Sequence, residues 1–226
     1  MFVPHHFAVE DEHEIRRIVR GVGSAHLVTS GQDGYPSATL LPIMWQGDTV
    51  IAHMARANPH WQAIDDGAPA LLIVAGPEAY ISPSWYASKA EHGRVVPTWN
   101  YVVVQLTGRV RIHDDAQWLR SALDELVDRH ESHRESPWRT ADAPEKFVRG
   151  QLRAIVGIEV TVERAQATAK LSQNRSRADR EGVVRGLASE GSHGASAVAE
   201  AMALRVISRE ATDPVRDAAS RTRSDI

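Results

Sequence analysis

Three of the six tryptophans stand in polar, turn-rich surroundings: Trp61 in NPHW, Trp85 in SPSWY and Trp99 in PTWNY. An indole offers a broad flat apolar face and a single N–H donor. That combination suits a slot for a planar aromatic cofactor; it equally suits the filling of barrel ends or a dimer interface. A second set of candidates lies in HMARANPHW, residues 53–61. Asn58 is placed to cap a short helix and Pro59 to occupy its first position. Free backbone N–H groups at such a strand-to-helix junction favour an anionic ligand group, and the guanidinium of Arg56 adds a fork of donors for phosphate or carboxylate. His60 on the first turn projects toward the same space, although a lone histidine such as His60 or His53 is more often a surface or hydrogen-bonded residue than a metal ligand. The third set is KLSQNR, residues 170–175, which packs amide, hydroxyl and cationic groups into six positions. Its plainer role is a solvated loop that caps the following helix.

These residues need elements to hold them. Glu10, Asp11 and Glu12 followed by Ile15, Ile18, Val19 and Val22 predict a short amphipathic helix that stops at Gly21 and Gly23. From residue 25 to 112 the pattern becomes short β-branched runs, AHLVTS, SATLLPIMW, TVIAHM, PALLIVAG and YVVVQLTGRVRI, divided by Gly-, Asp- and Pro-containing turns. Gly108 inside the last run suggests a bulge or bend. DDAQWLRSALDELVDRHE predicts a helix capped by Asp114 or Asp115, PEKFVRGQLR another, IVGIEVTVE a strand, and residues 176–187 a helix. The expected class is α+β, mainly β: a split β-barrel core with peripheral helices. Residues 1–187 would form that domain and 188–226 an Ala/Ser-rich C-terminal extension. Within the extension AVAEAMALRVI is a candidate helix and RDAASRTRSDI a solvated, flexible tail.

Composition removes several function classes. Lysine and arginine number 26 against 29 acidic residues, a net charge of −3. This balance offers no basic field for nucleic acid, so direct DNA binding is not expected. No apolar run approaches the length of a membrane span, and the acidic start MFVPHHFAVEDEHE lacks the form of a signal peptide; a soluble, cytoplasmic protein is expected. With no cysteine there is no disulfide, iron–sulfur cluster or thiolate ligand, so any metal or haem iron must be held by His, Tyr, Met, Lys or a carboxylate. Motifs for metalloproteases, P-loops, serine hydrolases and dinucleotide folds are absent from the sequence.

The segments MFVP, ATLLP, AHMARANPHW, AYISPSWY, VPTWNY and KLSQNR occur here in that order, and together they resemble the PaiB family from residue 1 to about 187. The resemblance implies a split β-barrel of the flavin-reductase and pyridoxamine-oxidase type. It also implies a homodimer with the cofactor at the subunit interface, and a description as FMN-binding negative transcriptional regulators. Two positions depart from the family pattern. TLLP, residues 39–42, stands where THLP is frequent, and His60 stands where the family commonly has glutamine. An imidazole at that point makes the chain similar to the haem-b-dependent piperazate synthase branch, which cyclises N5-hydroxy-L-ornithine to L-piperazate with formation of an N–N bond and loss of water. On that resemblance His60 would be the axial metal ligand. Trp61, Trp85 and Trp99 would flank the cofactor, Arg56, Asn58 and Lys170 would help bind it, and Tyr86, Tyr101 or Gln173 would relay protons. The alternative is FMN in the same residues, as a PaiB-type regulator or flavin-dependent reductase.

Overall fold

The computed structural model describes residues 1–31 and 33–212, with the backbone alone for 206–212. After a 3₁₀ turn at His5–Phe7 come β1 (Ala8–Val9) and α1 (Glu12–Val22). Asp11 caps α1 by accepting from the backbone N–H of His13. The helix buries Ile15 and Val19, runs through Gly21 and ends at Gly23. Three strands follow, β2 (Ser24–Ser30), β3 (Pro36–Gln46) and β4 (Thr49–Ala55), then a 3₁₀ turn at Pro59–Ala63 and β5 (Ala68–Ile81). A 3₁₀ turn at Pro83–Trp85 and α2 (Ser88–His92) come next, before β6 (Thr98–His113). Then come α3 (Ala116–Glu131), α4 (Glu145–Leu152), β7 (Ile155–Lys170), α5 (Arg177–Glu190) and α6 (His193–Thr212). The stretch RDAASRTRSDI lies outside the described residues.

The strands form an antiparallel seven-stranded sheet in the order β1-β7-β4-β3-β2-β5-β6, and β7 also pairs with β6, closing the sheet on itself. Alternation fixes the register: Leu41 and Ile43 of β3 and Val50, Ala52 and Met54 of β4 point inward. Ala25 lies opposite Leu41, Ile43 opposite Ala52 and Ala52 opposite Ile158. The expected bend at Gly108 is a close approach of backbones, since a Cβ there would lie 1.9 Å from the Thr161 carbonyl oxygen. Only glycine lets β6 pass β7 at that distance.

The chain divides into two compact units. The first comprises residues 1–3, 9–75 and 103–167, with Leu27, Ile43, Met54, Leu72, Leu106 and Ile158 in its core. The second comprises 4–8, 76–102 and 168 onward, with Ile81, Leu171, Val183, Leu187 and Val198 buried in it.

Candidate functional site

In the first unit, the chain leaving β4 turns at Asn58, whose side-chain oxygen accepts from the backbone N–H of His60 at 3.0 Å. With Pro59 at the first position, this cap starts the 3₁₀ turn as the sequence predicts. The turn sends the His60 ring inward, leaving it 7 % exposed. Its Nε2 lies 2.9 Å from Thr29 Oγ1 of β2 and its Nδ1 lies 2.8 Å from Thr39 Oγ1 of β3. Asn58 also donates to Thr39 Oγ1, at 3.3 Å. Burial pushes the imidazole pKa below its ordinary value, so the neutral ring is favoured, with one nitrogen donating and the other accepting. An iron ligand needs an open ring nitrogen, and here both face hydroxyls. To hold an iron, His60 would therefore have to give up one of these hydroxyls, because the turn that carries it packs the ring between two strands.

Arg56 is committed as well. Its Nε donates to the Arg153 carbonyl at 2.9 Å and its Nη2 to that of Ile155 at 3.0 Å. Nη1 reaches Asp114 Oδ2 at 3.0 Å, and Nη2 also bonds Asp114 Oδ1. The guanidinium holds the Asp114 carboxyl below the usual carboxylate range. These bonds use four of the five donors an arginine has, so Arg56 ties β4 to the start of α3 and the chain entering β7. The cap of α3 is therefore Asp115, which accepts from Trp118 N at 2.7 Å. Trp61 donates its indole N–H to the Arg56 carbonyl at 2.9 Å, which fixes it beside the same strand end.

The other candidates belong to the second unit. At the end of β7, Ser172 adopts a left-handed backbone, φ 63°, a conformation that costs a non-glycine residue about 1–3 kcal/mol. Asn100, fully buried, donates to Ser172 Oγ at 3.0 Å and so holds the bend. Gln173 accepts from the backbone N–H of Leu171 at 2.7 Å and donates to the Ala169 carbonyl. Both ends of its amide serve the bend. Thus PTWNY and KLSQNR, 72 residues apart between Asn100 and Ser172, meet at one corner.

That corner gathers positive charge. Lys170 Nζ donates to Thr98 Oγ1 at 2.6 Å and lies 6.0 Å from the Tyr101 ring centroid. Burial and then the charge of Arg175 push its pKa down. The Arg175 guanidinium sits 4.8 Å over the Tyr86 ring. Tyr86 itself is 3 % exposed; burial raises its pKa, and the guanidinium of Arg175 beside it opposes that shift. Trp85 packs: a Cβ on Gly186 of α5 would lie 2.3 Å from its ring, and one on Gly182 would lie 2.0 Å from its carbonyl oxygen. Trp99 is the tryptophan of this unit that faces outward, 46 % exposed. It stands edge-on to Tyr80 with centroids 6.3 Å apart and donates to Glu78 at 3.3 Å.

Sequence reasoning missed Thr29, Thr39, Thr98 and Asp179. Asp179 is buried, with one carboxylate oxygen 2.9 Å from Ser88 N and the other 3.0 Å from Ser88 Oγ. The threonines carry no local signal, since each meets its partner from a distant strand. The Asp179–Ser88 pair joins α5 to α2, a tie visible only once both helices are placed.

Among the described residues, no helix is long and apolar enough to cross a membrane. A family model described as "Putative FMN-binding domain" matches residues 1–164. The Bacillus subtilis protease synthase and sporulation protein PAI 2 is 33 % identical over 206 residues, covering 89 % of this chain and 96 % of that protein. An uncharacterized protein of Emericella nidulans is 32 % identical over 173 residues, 65 % of this chain and 69 % of its own length. Among solved structures, the flavocytochrome Anf3 from Azotobacter vinelandii superposes with a TM-score of 0.55 at 19 % identity, covering 73 % of this chain and 70 % of that one. The FAD and heme binding protein from Mycobacterium smegmatis gives 0.54 at 20 % identity, covering 72 % and 73 %. At these identities the structural likeness establishes the fold.

Proposed function

Because the chain belongs to the PaiB-like family of FMN-binding domains, we propose that it binds FMN, with the flavin phosphate received by Lys170 and Arg175. The observation that carries this reading is the pairing of those two cations at one corner. Burial and then the charge of Arg175 disfavour the Lys170 ammonium; a phosphate beside it relieves both effects. Thr98 orients the Lys170 ammonium, and the bend at Ser172, held by Asn100, brings Arg175 back toward it. Tyr101, and the exposed Trp99 with Tyr80, offer aromatic surface in the same unit. FMN supplies reversible electron and hydride transfer when bound, as a PaiB-type regulator or a reductase would use it. In this reading His60, Arg56 and Trp61 build the first unit and do not touch the cofactor. Each charged hydrogen bond to the phosphate is worth about 1.5–3 kcal/mol, so Lys170→Ala or Arg175→Ala should weaken FMN binding about tenfold or more. Unchanged affinity in both variants would remove the phosphate from this corner.

A second reading is favoured by one observation, the neutral, desolvated imidazole of His60 in place of the family's common glutamine. It is the haem-b-dependent piperazate synthase reaction on N5-hydroxy-L-ornithine, in a homodimer with the cofactor at the subunit interface. It requires His60 to give up its bond to Thr29 while Thr39, braced by Asn58, keeps hold of Nδ1. Protein produced with a haem precursor would then carry a Soret band that His60→Gln abolishes. A band absent from the wild type, or indifferent to that substitution, excludes His60 as the ligand.

A further inference from the structure

The second unit contains a cavity of about 300 Å³ on the α5–α6 helix pair, separate in its lining from Lys170 and Arg175. Its floor is apolar, formed by Leu171, Val184, Met202 and Ala203. Its polar wall is unusual for so apolar a space. Among the described residues, the guanidiniums of Arg177, Arg180, Arg185 and Arg205 line it together with Gln173 and one carboxylate, Glu181. Glu181 is already committed: Arg177 Nε holds it at 2.9 Å, and the charges of Arg177, Arg185 and Arg180 keep its carboxyl below the usual range. Arg205 donates to the Ala8 carbonyl at 3.3 Å. The cationic lining thus exceeds its carboxylate, so an anion entering the cavity would meet guanidinium groups that Glu181 alone does not neutralise.

We propose that this cavity binds a single-chain anionic amphipath, its carboxylate or phosphate head on Arg180 and Arg185 and its hydrocarbon chain over Leu171, Val184 and Met202. The inference is independent of the cofactor reading. A guanidinium fork matches the two oxygens of a carboxylate or phosphate, which fixes the head as an anion. The apolar floor fixes the tail as hydrocarbon. A volume at the small end of ligand cavities favours one chain over two. Each methylene buried contributes enough for about a fourfold gain in affinity.

Isothermal titration of the full chain, with and without FMN, tests this using octanoate, decanoate, dodecanoate, dodecyl phosphate, dodecanol and dodecyltrimethylammonium, all below their micelle concentrations. The expected result is saturable binding of one anion per chain, tightening from octanoate to decanoate and levelling once the cavity is full. Dodecanol should bind at least tenfold more weakly and the cationic surfactant not at all. The tighter of dodecanoate and dodecyl phosphate identifies the head group. Arg180→Gln with Arg185→Gln should cost tenfold or more, and Val184→Trp, which fills the cavity while keeping the arginines, should abolish binding. FMN affinity should be the same in all of these proteins. Equal binding of dodecanol and dodecanoate, no saturable anion binding, an anion affinity unmoved by the substitutions, or displacement of dodecanoate by FMN would each overturn the proposal.

Discussion

At the scale of single residues, the chemistry of His60 is decided by two hydroxyls. Its ring sits between Thr29 and Thr39, and burial favours the neutral form. Unfolding exposes it to protonation near its ordinary value of about 6.5, while the folded protein binds that proton only at lower pH. The unfolded state therefore holds more protons in between, and stability falls as pH drops below about 6.5. His53, also pushed down by burial, adds to the same slope. His60→Gln keeps a donor and an acceptor for the two threonines, so it should retain most of the stability at neutral pH and flatten this slope; urea melts across the range measure both. Thr29→Val should cost about 1–3 kcal/mol, because it strands a ring nitrogen in the interior. His60 and Asn58 could be read from NPHW because a cap and its proline are adjacent in sequence. The threonines could not, since their bonds span 31 and 21 residues. Arg56 was legible as a fork of donors, but its acceptors, Asp114 and the carbonyls of Arg153 and Ile155, come from far along the chain.

At the scale of elements, helix α5 is positioned by what lies against its glycines and its first turn. Trp85 occupies the space beside Gly186. Gly186→Ala should cost about 1–3 kcal/mol by overpacking, seen as a lower Tm. A smaller residue at Trp85 should recover part of it, because the two positions share one contact. At the first turn, burial of Asp179 would by itself raise its pKa. The backbone and hydroxyl of Ser88, the hydroxyl of Ser176 and the charge of Arg175 outweigh burial and hold it low. Its contribution is thus present above the ordinary carboxylate value of about 3.9 and lost as pH falls through the lower folded value. Asp179→Asn turns an amide toward the Ser88 donors and should cost about 2 kcal/mol at neutral pH; acid titrations of stability compare it with the wild type. Strand positions were legible from alternation in β2, β3 and β4. β5 and β7 run further than expected, to Ile81 and Lys170, because GPEAY and RAQATAK are too polar to signal strands that pairing alone sustains.

At the scale of the whole molecule, closure of the sheet by β6 against β7 and the family match make the split-barrel expectation a finding. The six motifs in order sufficed for that, since a family pattern records tertiary constraints that periodicity does not. They did not indicate that the candidate site residues fall into two compact units. Arg56, Asn58, His60 and Trp61 lie in the first, whereas Trp85, Tyr86, Trp99, Tyr101, Lys170 and Gln173 lie in the second. On the proposed reading, the corner at Lys170 and Arg175 receives the anionic group of the cofactor. The most direct test is an absorbance spectrum and FMN titration of the purified full chain beside Lys170→Ala, Arg175→Ala and His60→Gln. The account predicts flavin bands, binding weakened about tenfold or more by each cation substitution, and no change in His60→Gln. A Soret band lost in His60→Gln, or FMN binding indifferent to Lys170 and Arg175, would contradict it.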